Sequence, residues 1–380
     1  MFERIEFLAR LEKAQGKMAD AGLDGILLTT HPDLFYFTGF LTRFWESPTR
    51  PWFLILPQSG MPVAVIPGIG AALMAKTWIE DIRTWSAPNL QDDGVTLLAD
   101  TLDEIIGKGR IGIPSGHETS LRMPLQDFDR LKKKASGIEF TGDAGIVRAL
   151  RMVKSPAEIG KIRNICTIAE RAFARMGEIA KIGASHASVF RNFQRLLLEE
   201  GADWVPYLAG GAGPHGYDDV ISPAADTPLA RGDVLMLDTG AVRDGYFCDF
   251  DRNFAIGPPS RKNKDAHRKL IEATQAGFEA AKPGNTAADL FHAMDKILTG
   301  GTGKSDVGRL GHGLGIQLTE WPSLIPLDDT VLEDGMVLTL EPGIQTRYEF
   351  MLVHEENIVV KASGSEYLTR PYAKEMEVIG

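Results

Sequence analysis

The chain has 380 residues, an apolar content of 44% and a net charge of −10 without acidic or basic blocks. This length exceeds the usual size of one hydrophobic core, so two domains are expected. The charge pattern argues against nucleic acid as a partner, and no run reaches the roughly 18 apolar residues of a membrane span. The N-terminal residues lack a signal peptide's apolar core and the two cysteines lack zinc-site spacing, so we expect a cytoplasmic protein.

The first third of the chain alternates helical and strand-like patterns. A helix is predicted near residues 2–21, and the apolar runs GILLTT, WFLILP and PVAVIP follow it as strands. A second helical pattern lies around AALMAKTWIEDI. This alternation is typical of an α/β layer, so residues 1–140 are assigned to an N-terminal α/β domain.

A helix-start signal opens the second domain. Ser155 suits the N-cap, Pro156 suits the first helical position, and Glu158 completes a capping box. Further helical patterns at HASVFRNFQRLLLEEG, KDAHRKLIEATQAGFEAA and TAADLFHAMDKILTGG are separated from β-rich segments. Such segregated runs indicate an α+β fold with helices packed on an antiparallel sheet, which is assigned to residues 141–380.

An internal repeat brings two acids into equivalent positions. The segment GDVLMLDTGA matches GMVLTLEPGI at both glycines, at Val and at two Leu, and it aligns Asp238 with Glu341. Each segment leads to a return strand with another acid, Asp249 in the first hairpin and Glu355 in the second. The same acidic hairpin is therefore predicted twice.

The register of the first hairpin has two solutions. A turn at Arg243–Asp244 would place Asp238 across from Asp249, and a turn at Asp244–Gly245 would place it across from Asp251. Either register sets two carboxylates about 5 Å apart, with a repulsion of roughly 3 kcal/mol at an effective dielectric of ~20. Such a pair needs a cation or a shared proton.

A divalent metal is the simplest compensation for these acids. His312 lies between two glycines in GRLGHGLG, where the backbone can approach an occupied site and imidazole can act as a ligand. Four carboxylates and one histidine suit a pair of ions such as Mn, Fe, Co or Zn. The alternative is that the acids are exposed turn residues with counterions such as Arg243 and Arg252.

The motifs LDTGA, GYFCDFDR, GHGLG, LEPG and HEENIVV follow RMVKSPAEI in this order. With them the chain resembles the creatinase, aminopeptidase P and prolidase family of pita-bread metallopeptidases. The resemblance implies a pita-bread catalytic domain after a smaller creatinase-like domain. It implies amide hydrolysis, in which metals acidify water and polarise the substrate carbonyl, and Glu341 also acts in proton transfer. The implied ligands of two divalent ions are Asp238, Asp249, His312, Glu341 and Glu355.

Three positions depart from the family pattern. Asp251 replaces the threonine of a D-x-T-R motif, and Thr319 stands where the peptidases carry a histidine about seven residues after the ligand histidine. A further peptidase histidine would fall near residues 221–222, and His215 lies nearby but out of register. Because those histidines normally hold substrate, His215 and Thr319 are candidate substrate contacts.

The segment TGFLTRFWESPTRPW is a candidate lid. The resemblance implies a homodimer in which the N-terminal domain of one protomer covers the site of the other. Arg43, Trp45 or Arg50 could then contact a substrate carboxylate. The alternative for this segment is a solvated loop with aromatic packing.

Three functions are compatible with these features. The leading function is hydrolysis of a small amide, with an Xaa-Pro dipeptide as the most conventional substrate. The second is hydrolysis or lyase chemistry on a small non-peptide metabolite, which Asp251 and the missing histidines favour. The third is a metal-free creatinase-like or binding protein, against which the five intact ligands argue.

Overall fold

The computed structural model describes residues 2–47, 50–302 and 308–379. The chain divides into two compact units, Met1–Arg151 and Met152–Gly380. The predicted boundary at residue 140 falls inside the strand Ile138–Gly142, which completes the sheet of the first unit. Among the described helices, none has the length and apolar character needed to cross a membrane.

The N-terminal unit is a mixed sheet with helices, as the α/β prediction required. The first helix begins at Arg4 and ends at Ala21, and it is followed by the C-cap Gly22, whose positive φ of 64° allows the chain to leave the helix. The helices are α1 (Arg4–Ala21), α2 (His31–Thr38), α3 (Ala71–Met74), α4 (Val95–Ile105), α5 (Leu125–Lys134) and α6 (Ile146–Met152). The strands are β1 (Gly25–Leu28), β2 (Phe53–Pro57), β3 (Val63–Pro67), β4 (Asp81–Trp85), β5 (Gly109–Ile113) and β6 (Ile138–Gly142), in the spatial order β4-β3-β2-β1-β5-β6.

The C-terminal unit begins with the predicted capped helix. The Ser155 hydroxyl accepts from the Glu158 N–H at 3.2 Å, and the Ser155 N–H donates to Glu158 Oε2 at 3.0 Å, which confirms the capping box. The helices of this unit are α7 (Pro156–Phe173), α8 (Met176–Ile179), α9 (His186–Glu200), α10 (Arg261–Ala280) and α11 (Ala287–Thr299).

The described strands of the C-terminal unit form two five-stranded sheets and a two-stranded ribbon. The first sheet has the order β18-β10-β8-β7 with β9 paired to β8, and the second has the order β12-β11-β13-β16-β17. The bounds are β7 (Trp204–Gly213), β8 (Val234–Arg243), β9 (Tyr246–Phe247), β10 (Phe250–Ile256), β11 (His312–Gly313), β12 (Glu320–Ser323), β13 (Val337–Leu340), β14 (Gly343–Arg347), β15 (Phe350–Val353), β16 (Glu356–Val359), β17 (Glu366–Tyr367) and β18 (Glu377–Ile379).

The helices of this unit cover the sheets with apolar faces. Leu270 of α10 and Phe291 and Met294 of α11 join Met236 of β8 and Leu338 of β13 in one buried core. Each such side chain stabilises the fold by about 1.5–3 kcal/mol when it leaves water. The predicted pita-bread arrangement of mainly antiparallel strands with packed helices is thus confirmed. It places the start of β10 beside the middle of β8, the start of β16 beside the end of β13, and β10 next to β16.

Candidate functional site

The first hairpin turns at Asp244–Gly245. Both residues have positive φ, 53° and 82°, and Arg243 pairs with Tyr246. Asp238 consequently pairs with Asp251 across β8 and β10. Of the two predicted registers, the second is the one formed.

The second hairpin carries its acids at the adjoining ends of two strands. β13 and β16 are antiparallel, and Leu340 pairs with Glu356. Glu341 follows β13 directly and Glu355 precedes β16 directly, so the two acids lie beside each other. The chain between them forms the separate ribbon β14–β15, which the repeat alone did not predict.

His312 presents one specific nitrogen to the acids. Its backbone N–H donates to Thr339 Oγ1 at 3.1 Å, and its Nδ1 donates to the Gly313 carbonyl at 2.8 Å. Nε2 is then free of a proton and lies 3.4 Å from Asp249 Oδ2. Burial, followed by the positive charge of Arg309, lowers the pKa of His312 to about 3, so the ring is neutral at physiological pH.

Three donor groups come together in the interior. Asp249, His312 and Glu355 are all buried, and each offers a ligand atom within 4.8 Å of the others. Oε1 of Glu355 and Oδ1 of Asp238 are buried atoms without a hydrogen-bond partner. A buried carboxylate oxygen without a partner destabilises the folded protein unless a cation binds it. These residues therefore fit a metal ion.

The electrostatics of the acids agree with this fit. Burial and the neighbouring carboxylates raise the pKa values of Asp238, Asp249 and Glu355 well above their usual range. Burial raises the pKa of Glu341 to about 7, with Asp251 adding to the shift and Arg309 opposing it. Each of the four carboxyl groups therefore holds its proton more tightly than usual, and a bound cation would favour the ionised forms.

Asn357 connects the two hairpins behind the acids. Its Oδ1 accepts from the Asp249 N–H at 3.0 Å, and its Nδ2 donates to the Asp249 carbonyl. Cys166 of α7 donates to the same Oδ1 at 3.3 Å. The buried amide of Asn357 on β16 thereby fixes the backbone of Asp249, which directly precedes β10. The two strands belong to different sheets.

Asp251 and His354 form a second layer of charge. Both carboxylate oxygens of Asp251 are buried without a hydrogen bond, and His354 Nδ1 lies 3.7 Å from Oδ1. His354 Nε2 lies 3.3 Å from Glu356 Oε1. Although burial opposes it, contact with these two carboxylates raises the pKa of His354.

Arg252 neutralises Glu356 and supports Glu355. It donates to Glu356 Oε2 and to the Glu355 carbonyl, each at 3.0 Å. Burial opposes ionisation of Glu356, but Arg252 lowers its pKa to about 2. Glu356 is thus already paired with a cation of the protein, which agrees with its neighbour Glu355 being the candidate ligand. The suggested counterion Arg243 instead contacts Asp203, so the acids of the site are not exposed turn residues paired with it.

The three residues predicted to contact substrate belong to different segments of the chain. His215 follows β7, and its ring packs edge-to-face on Phe350 at 5.9 Å. Thr319 immediately precedes β12 and accepts from Arg309 Nη2 at 3.3 Å. Arg43 is an exposed residue of the N-terminal unit, next to the turn Phe44–Glu46.

The candidate lid contains the aromatic packing foreseen as its alternative. Trp45 is buried, with its ring 5.5 Å from Trp52 and 5.4 Å from His31. Pro48 and Thr49 of this segment lie outside the described residues. A role as a lid stays a prediction.

Two neighbours of the acids were missed in the sequence. The Tyr207 hydroxyl donates to Asp238 Oδ2 at 3.0 Å from the adjacent strand β7. Arg309 acts electrostatically on Asp249 and Glu341. Arg309 stands three residues before His312, so its place in the GRLGHGLG motif was the available signal, whereas nothing local marks Tyr207.

Comparisons with known proteins agree with this geometry. The model of metallopeptidase family M24 matches residues 160–362, and that of the creatinase/prolidase N-terminal domain matches residues 10–153. The Xaa-Pro dipeptidase of Pyrococcus horikoshii is 30% identical over 356 residues, which cover 92% of this chain and 93% of that protein. The probable dipeptidase PepE of Mycobacterium bovis is 29% identical over 366 residues, which cover 96% of this chain and 94% of that protein.

A solved structure extends the likeness to three dimensions. The crystal structure of dipeptidase PepE from Mycobacterium ulcerans superposes with a TM-score of 0.85 at 28% identity, covering 100% of this chain and 99% of that one. The family model spans more than half of the 380 residues and includes all five candidate ligands. The chain belongs to metallopeptidase family M24 and is a hydrolase, and this family implies the use of a divalent metal.

Proposed function

We propose that this chain is a dipeptidase that hydrolyses Xaa-Pro dipeptides with the help of two divalent ions. The proposal rests on one observation. Asp249, His312 and Glu355 are buried together, and their ligand atoms lie within 4.8 Å of one another. Relatives named Xaa-Pro dipeptidase and dipeptidase support a short peptide as the substrate. They favour this function over chemistry on a small non-peptide metabolite.

The ligand set follows from the two hairpins and the histidine between them. Two divalent ions would offset four carboxylates, and Mn, Fe, Co or Zn suits oxygen ligands with one imidazole. When bound, such ions acidify a water molecule and polarise a carbonyl group. The residues proposed to hold them are Asp238, Asp249, His312, Glu341 and Glu355.

The chain's own groups would orient these ligands and move protons. A carboxyl whose pKa is raised to about 7, as burial does for Glu341, can exchange a proton near neutral pH. Tyr207 orients Asp238 through its hydroxyl, and the Gly313 carbonyl fixes the tautomer of His312. Burial of Asp249 and Glu355 keeps bulk water away from this part of the site.

Activity with defined peptides tests the proposal. Protein reconstituted with Mn²⁺ should hydrolyse Ala-Pro, and a chelator should abolish the hydrolysis. Asp249→Asn should lower kcat/KM at least about tenfold, whereas Asp244→Asn, an acid-to-amide change at the exposed turn of the same hairpin, should not. Turnover of small amides or betaines without any cleavage of Ala-Pro would overturn the dipeptidase assignment and favour a non-peptide substrate.

Further expectations are proposals that rest on the resemblance. We propose a homodimer, which light scattering of the purified protein would test. We propose a cytoplasmic location, which cell fractionation would test. Substrate contacts by Arg43 and His215 predict that Arg43→Gln and His215→Gln raise the KM for Ala-Pro without reducing the bound metal.

A further inference from the structure

The segment 314–320 packs against the first hairpin beside its acids. The Phe247 N–H donates to the Gly315 carbonyl at 2.8 Å. Leu318 lies so close to Gly240 that a Cβ added there would be 2.2 Å from Leu318 Cδ1. Gly240 stands two residues after Asp238 in β8, on the same face of the strand. The segment that carries Thr319 is therefore next to the carboxylate face.

Buried hydrogen bonds hold this segment in one conformation. Glu320 Oε1 accepts from the N–H groups of Ile316 and Gln317 at 3.0 and 3.2 Å. Glu320 Oε2 accepts from Lys154 Nζ at 3.1 Å, and both side chains of this ion pair are buried. Because Glu320 fixes the turn before it, the hydroxyl of Thr319 is presented in a defined direction.

Arg309 reaches the same place from the other side of His312. Its Nη2 donates to Thr319 Oγ1 at 3.3 Å, and the side chain is only partly exposed. Its positive charge acts on Asp249, His312 and Glu341. Within the part of the chain that the structure describes, its guanidinium makes no ion pair with a carboxylate. Among the described residues, Thr319 is the one acceptor that the guanidinium contacts, which leaves N–H donors for another acceptor.

We propose that Arg309, positioned by Thr319, binds the free carboxylate of a dipeptide substrate. The inference rests on the dipeptidase function proposed above and names the group that recognises the C-terminal end of the substrate. A guanidinium offers two parallel N–H donors that match the two oxygens of a carboxylate. Among the acids of the site, a substrate carboxylate is repelled everywhere except beside a cation. Thr319, at the position of the family histidine, instead holds Arg309 beside the acids, where its guanidinium can bind the substrate carboxylate.

Binding of uncleavable analogues tests this pair apart from catalysis. The probe is Ala-Pro with the scissile carbonyl replaced by CH₂, as the free acid and as the C-terminal amide. Calorimetry with the Mn²⁺-reconstituted protein should show the acid binding at least about tenfold more tightly than the amide, as expected for a charge-assisted hydrogen bond. Arg309→Gln should abolish this preference, Arg309→Lys should retain part of it, and Thr319→Val should weaken it.

A control variant checks that any loss of the preference for the acid is specific to Arg309. Arg163→Gln, which removes an exposed arginine paired with Glu366, should leave the preference intact. Equal binding of acid and amide, no binding of either, or a preference that survives Arg309→Gln would each overturn the inference. If the wild-type protein prefers the acid through Arg309 but does not hydrolyse Ala-Pro, the carboxylate site stands and the dipeptidase proposal fails.

Discussion

Asp238 and Asp251 face each other across β8 and β10, although the family pattern would have threonine at the second position. Asp251 has no hydrogen bond to either carboxylate oxygen, and its charge, after burial, raises the pKa of Asp238. Asp251 adds negative charge beside the five candidate ligands. The site therefore needs more positive charge to offset its carboxylates than those ligands alone would need.

Asp251→Asn should weaken metal binding and stabilise the metal-free protein. Removing one negative charge beside Asp238 relieves repulsion when no ion is present, and it removes attraction when one is. We expect about a tenfold loss of Mn²⁺ affinity, typical of a change next to the ligands, measured by calorimetry. Asp244→Asn is the matched control at the turn of the same hairpin. Unchanged affinity in Asp251→Asn would show that Asp251 contributes nothing to the site.

Glu341 should make the stability of the metal-free protein depend on pH. Its folded-state pKa of about 7 is above the ordinary value of 4.5. The stability that it contributes is therefore fully present below pH 4.5 and is lost as the pH rises through about 7. In urea unfolding with a chelator, Glu341→Gln should gain on the order of 2 kcal/mol relative to wild type between pH 5 and pH 8.

The control for Glu341 is Glu333→Gln, an exposed acid in the same unit. Its stability difference from wild type should stay nearly constant over the same interval. A gain for Glu341→Gln at pH 5 that disappears at pH 8 would show that ionisation of Glu341 does not destabilise the folded protein as the pH rises.

Loss of Arg252 should unfold the C-terminal unit at a lower urea concentration. Arg252→Met leaves Glu356 buried without its cation and removes the donor to the Glu355 carbonyl. Breaking a buried pair in this way costs about 3–5 kcal/mol. The exposed pair of Arg163 is the control, and Arg163→Met should cost about 1 kcal/mol or less. Similar losses in the two variants would mean that Arg252 stabilises the fold no more than a surface arginine does.

Gly240→Ala should displace Leu318 and with it Thr319. The added methyl group would overlap Leu318 Cδ1, and overpacking of this kind costs about 1–3 kcal/mol. The KM for Ala-Pro should rise, and Leu318→Ala in the same chain should restore part of the loss. Gly160→Ala in α7, where nothing lies within 4 Å of the new methyl group, is the control. A double variant no better than Gly240→Ala would exclude contact with Leu318 as the cause.

Local chemistry in the sequence predicted the features that depend on neighbouring residues. The capping box at Ser155 and the two acidic hairpins could be read from spacing alone. The register of Asp238 could be narrowed to two solutions, because a tight turn at Asp244–Gly245 competed with one at Arg243–Asp244. The structure shows that the turn forms at Asp244–Gly245. The positive φ of both residues identifies this turn, and backbone angles cannot be read from the sequence.

Local sequence patterns did not predict the contacts between distant segments of the chain. Tyr207 reaches Asp238 because β7 and β8 are neighbours, and Asn357 reaches Asp249 because the ends of two sheets converge. Tyr207 carries no local signal, and Asn357 is marked only by its place in the HEENIVV motif, which does not indicate its contact with Asp249. The division after Arg151 likewise depends on β6 joining the first sheet, which a strand pattern alone does not decide.

Anomalous diffraction from crystals grown with Mn²⁺ tests the central claim most directly. The account predicts two strong peaks among the carboxylates of Asp238, Asp249, Glu341 and Glu355, with one of them next to His312 Nε2. Crystals of His312→Ala should lose the peak beside that position. Wild-type crystals with no anomalous peak between the two hairpins, or with manganese bound only elsewhere, would contradict the metal centre and the function derived from it.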